Sequence, residues 1–118
     1  MTKPNKEQRK HQRIYRNFIL SYHPVSDPSK KMDVSQINNI SQGGVNFSVS
    51  QPVLNQEILM MDLKTPFLGD HLALQGIVLE CREKVSGLIY EVRVQFQNLP
   101  IASKEILAKI EKYTLKEK

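Results

Sequence analysis

The sequence is short of several things that would have pointed elsewhere. It has one cysteine, Cys81, so no internal disulfide can form, and a reducing compartment suits it. No apolar run approaches the roughly 20 residues that a bilayer-spanning helix needs. The first 16 residues are polar and basic, with no apolar core of a secretory signal, so a cytoplasmic protein is expected. Its three histidines, His11, His23 and His71, are scattered and lack metal-ligand spacing. No phosphate-binding Walker loop, nucleophile elbow or paired-carboxylate site is visible. Cys81 has no local histidine partner, which favours a buried structural thiol over a nucleophile. Together these absences argue against an enzyme, a metalloprotein and a membrane-spanning protein.

The charge that is present is unevenly placed. Residues 1–16 hold Lys3, Lys6, Arg9, Lys10, Arg13 and Arg16 against Glu7 alone, a net +5. The remaining chain balances eleven basic against eleven acidic residues, so the whole net charge lies in this segment. A neutral body with a basic arm suits an anionic partner: nucleic acid, a nucleotide or a membrane surface. It also suits a solvated terminus that only aids solubility.

At 118 residues the chain has the length of one domain. Residues 1–13 read as a flexible basic arm, 14–100 as a β-barrel and 101–118 as a C-terminal helix. Phe18, Leu20 and Tyr22 alternate with Asn17, Ile19 and Ser21, the period of a strand with one strongly apolar face. Met32–Asn38 reads as a second strand, and Asn39–Gly44 as a turn. Val45, Phe47 and Val49 mark the third strand, which Pro52 ends. Ile58–Leu63 is the fourth. Leu72–Cys81 is the fifth, with a bend or bulge expected at Gly76. After a Ser86-Gly87 turn, Leu88, Tyr90, Val92, Val94 and Phe96 alternate as the sixth strand. Beyond Pro100 the period becomes helical, with Ser103 as N-cap and an apolar stripe of Ile106, Leu107, Ile110 and Tyr113. The expected architecture is mainly β: a six-stranded antiparallel barrel, or a strongly curled sheet, with one terminal helix.

Two short motifs carry the chemistry. Arg9-Lys10-His11-Gln12-Arg13 places two guanidinium forks four residues apart just before the first strand. Such forks pair bidentately with phosphate and with the O6/N7 edge of guanine. Asn39-Ile40-Ser41-Gln42-Gly43-Gly44 sets short polar side chains and glycines between two strands, where glycine lets another group approach closely. Read alone, it is also an ordinary hairpin turn.

Taken together and in this order, the R-x-x-x-R and N-x-S-x-x-G motifs resemble those of the PilZ family. Softer matches are Leu72–Val78 around Gly76, and Tyr90–Phe96 followed by the helix. The resemblance covers about residues 8–114. It implies a receptor for the second messenger cyclic di-GMP, with no further cofactor. Arg9 and Arg13 would bond phosphates and guanine edges, Asn39 and Ser41 would hydrogen-bond from the barrel, and Gly44 would make room. A separate protein effector would receive the signal. Two departures stand out. Arg93 occupies a position where many members have glycine. Tryptophan, which some members stack on a guanine, is absent, with Arg82 as a substitute. The rival readings are a basic-armed barrel that binds nucleic acid, with Tyr15 as its exposed aromatic, and a ligand-free PilZ-like interaction module.

Overall fold

The computed structural model of the protein describes residues 18–34, 36–66 and 71–116, with side chains through 112. The basic arm, including Arg9 and Arg13, lies outside the described residues, as do His11 and Tyr15.

Seven strands and one helix make up the described chain: β1 (Ile19–Pro24), β2 (Met32–Asp33), β3 (Gln36–Ile40), β4 (Gly44–Val49), β5 (Ile58–Lys64), β6 (Leu72–Val85), β7 (Ile89–Phe96) and α1 (Ile101–Lys116). They form one antiparallel sheet in the order β2-β1-β5-β6-β7-β4-β3. The seventh strand arises because the expected second strand is divided. Met32 and Asp33 pair with β1, whereas Gln36–Ile40 pairs with β4 at the opposite edge of the sheet. Residues 34 and 35 alone join the two, and the three intervening steps span about 11 Å at full extension. The two edges are therefore neighbours, and the sheet is curled round into a barrel left open between them. Both edges are blunted against further pairing. β2 has two residues, and β3 carries a register shift between Ile37 and Asn39.

Alternation fixes which face is inside. Leu20 and Tyr22, Val45, Phe47 and Val49, Leu59, Met61 and Leu63, and Val92 and Val94 all point into one core. Phe47, Leu59, Leu63 and Val92 are fully buried. Each such side chain contributes roughly 1.5–3 kcal/mol relative to exposure. Ser103, Leu107 and Ile110 recur at helical spacing and are buried, so α1 lays this stripe on the core. Ser103 is thus inside the helix and not its N-cap. Pro100 stands in the capping position instead: the helix begins at Ile101, and Lys104 N–H bonds the Pro100 carbonyl at 3.1 Å. Asn98, at φ 54°, turns the chain out of β7.

Two further expectations are corrected. Gly76 pairs in regular register with Phe96, and the bulges of β6 fall later, between Val78 and Glu80 and between Glu83 and Val85. Gly76 is required by packing, since a Cβ there would come within 2.4 Å of the Val94 side chain and 2.8 Å of the Gln95 carbonyl oxygen. Leu88 belongs to the β6–β7 turn, not to the core, and is exposed, because the long hairpin outgrows the rest of the sheet. Cys81 is half-buried against the core.

Candidate ligand-binding site

The site begins with a problem of chain reversal. Ile40 and Val45 face each other in register and both are buried. The residues between them must turn within a few steps. Ser41 solves this locally: its N–H bonds the Gly44 carbonyl at 2.9 Å, and its Oγ accepts the Gly43 N–H at 3.2 Å. The turn is then tied at two further places. The Gly43 carbonyl accepts the Phe96 N–H at 2.9 Å, and Gln42 Nε2 donates to Glu111 Oε1 on α1 at 3.3 Å.

Beside this turn lies a groove of about 360 Å³ on the outer surface of β3, β4, β6 and β7. Asn39, Ser41 and Gly44 all line it, together with Asn46, Leu79 and Arg93. Three of the five residues singled out in the sequence therefore converge. Asn39 belongs to β3, not to the turn, and is exposed on the outer face. Gly44 has a structural duty beyond clearance for a ligand. A Cβ there would lie 2.2 Å from the Val94 carbonyl oxygen, so only glycine lets β4 approach β7 this closely.

The floor next to the groove is a polar network. Asn38 Nδ2 donates to Asn46 Oδ1 at 2.9 Å and to Ser48 Oγ at 3.1 Å. The Asn46 amide beside the Glu91 carboxylate is the main reason that carboxyl is held below its ordinary range. Partial burial opposes the shift, while Lys84 at 3.4 Å and Arg82 at 3.8 Å support it. Arg93 Nη1 bonds Glu80 Oε1 at 3.1 Å, and Arg82 Nε lies 3.6 Å from the other Glu80 oxygen. Arg82 is thus held between Glu80 and Glu91 and does not line the groove, whereas Arg93 does. In the sequence Arg93 is only a departure from a pattern. Its place beside Asn46 and Glu80 depends on strand register, which the sequence does not display.

His71 pairs with Asp62, and His23 Nδ1 lies 3.0 Å from the Pro24 carbonyl oxygen. Among the described residues no group of histidine, cysteine, aspartate and glutamate could hold a metal ion, and no helix is long and apolar enough to cross a membrane.

The PilZ domain model matches residues 7–113, which include both motifs and every described strand. The chain belongs to the PilZ domain family. No curated protein matches the sequence. Among solved structures, this PilZ domain is similar to the Bacillus subtilis inhibitor of motility MotI (DgrA), with a TM-score of 0.67 at 12% identity over 84% of this chain and 47% of that one. It is similar to K. pneumonia MrkH in its apo state, with a TM-score of 0.70 at 14% identity over 86% of this chain and 46% of that one. The MrkH–c-di-GMP complex gives 0.58 at 17% identity over 86% and 48%. These likenesses are of fold, and the PilZ domain spans about half the length of those proteins.

Proposed function

We propose that this PilZ domain is a receptor for cyclic di-GMP, bound between the arm and the outer groove beside the β3–β4 turn. The observation that carries this reading is the convergence of Asn39, Ser41 and Gly44 on one groove. Family membership and the existence of a MrkH–c-di-GMP complex support the choice of ligand.

The chemistry follows from the residues. Cyclic di-GMP presents two phosphates and two guanine edges. Arg9 and Arg13 supply planar, permanently charged forks that match both. Asn39 and Ser41 hydrogen-bond the ligand from the barrel side. The arm closes over the ligand, so the bound state differs from the free state chiefly in the arm's position. The arm's new position is the signal, and a separate protein effector in the cytoplasm reads it. The domain acts as a binding protein and not as an enzyme.

Isothermal titration calorimetry of the purified protein with cyclic di-GMP, and with GTP as control, tests this. Saturable binding near one or two ligands per chain, absent with GTP, is the expected result. No heat with either nucleotide would leave the domain an interaction module.

A further inference from the structure

The bulge in β6 does something that a regular strand cannot. Val78 pairs with Val94 and Glu80 with Arg93, so Leu79 stands between them without a register partner. Val78 is fully buried and Cys81 packs against the core, which leaves Leu79 and Glu80 side by side on the outer face. In an uninterrupted strand one of the two would have pointed inward. Bulges are used in this way to re-aim side chains next to sites.

The consequence is an apolar and a charged element in one place. Leu79 is 41% exposed and lines the groove. Glu80 anchors Arg93 through Nη1 at 3.1 Å, and Arg93, with its side chain still 56% exposed, lines the same groove. No aromatic residue lines it among the described residues. A single exposed leucine needs no explanation. A leucine beside an anchored guanidinium, in a groove that a nucleotide would occupy, is a different surface. Purine faces stack on guanidinium planes and on apolar side chains.

We propose that Leu79 and Arg93 form a platform against which a purine base of the ligand packs, a reading that rests on the cyclic dinucleotide function above. The base lies over the leucine side chain and the guanidinium plane, and Glu80 keeps that plane in position. The planar group matters here, so lysine, a compact point charge, does not replace it.

Calorimetric titration with cyclic di-GMP across the wild type, Arg13→Ala, Leu79→Ser, Arg93→Lys and Arg93→Gln tests the platform, with melting temperatures to confirm folding. Leu79→Ser, Arg93→Lys and Arg93→Gln should each weaken binding at least about 5-fold, the low end of a base-stacking contact. If Arg13→Ala loses affinity while the Leu79 and Arg93 variants bind like wild type, the platform is wrong and the receptor reading stands. If Arg93→Lys binds normally and Arg93→Gln does not, Arg93 acts as a point charge and the platform is again wrong. If the wild type itself does not bind, both readings fall.

Discussion

Gly44 and Val94 lie so close that a single added carbon cannot fit between them: a Cβ on Gly44 would sit 2.2 Å from the Val94 carbonyl oxygen. The obstacle is backbone, which cannot swing aside as a side-chain tip can. Gly44→Ala should therefore displace β4 from β7 and destabilise the fold by about 1–3 kcal/mol. Thermal unfolding should show a drop of at least about 4 °C. An unchanged melting temperature would mean that the two strands separate without cost.

The arm can be tested without touching the barrel. One bidentate arginine–guanine contact is worth roughly 1–3 kcal/mol. Arg9→Ala and Arg13→Ala should each weaken cyclic di-GMP binding about 5- to 150-fold. The melting temperature should stay as in the wild type. Two single variants with wild-type affinity would remove the arm from the site.

Salt separates a small ligand from a polymer. Contacts to two phosphates should give a shallow dependence of log affinity on log salt, with a slope no steeper than about −2. A nucleic acid engaging many phosphates gives a much steeper slope. Tight binding to an oligonucleotide with such a slope would favour the basic-armed nucleic-acid reading.

Glu91 sets a pH dependence of stability. Its carboxyl is held below the ordinary value of 4.5, first by the Asn46 amide and then by Lys84 and Arg82. A depressed folded-state value stabilises the fold above the unfolded value. That contribution is lost as pH falls below about 4.5 towards the lowered folded value. Glu91→Gln should flatten the stability–pH profile in that window and leave its slope near neutrality unchanged. An identical acid limb in wild type and variant would show that Asn46 and its neighbours do not favour the ionised form of Glu91.

Some of this was legible in the residues and some was not. Asn39, Ser41 and Gly44 are close in sequence, so the local spacing that marks them also places them on one hairpin. The core strands were legible for the same reason: Val45, Phe47 and Val49 alternate without interruption. What escaped depends on pairing between distant segments. The division of Met32–Asn38 between opposite edges of the sheet, and the bulge that exposes both Leu79 and Glu80, are matters of register. Ser103 looked like a cap because its type suits one, but the helix start is set by Pro100, and the small serine side chain is buried with Leu107.

The most direct test of the account is where the ligand lands. Backbone amide chemical shifts of the labelled protein, recorded with and without cyclic di-GMP, would locate it residue by residue. The account predicts that the largest changes fall on Asn39, Ser41, Gly44, Asn46 and Arg93, with the amides of residues 9–13 changing in step. Saturable shifts confined to another surface, such as the exposed β6–β7 turn at Leu88, or no shifts at all, would contradict it.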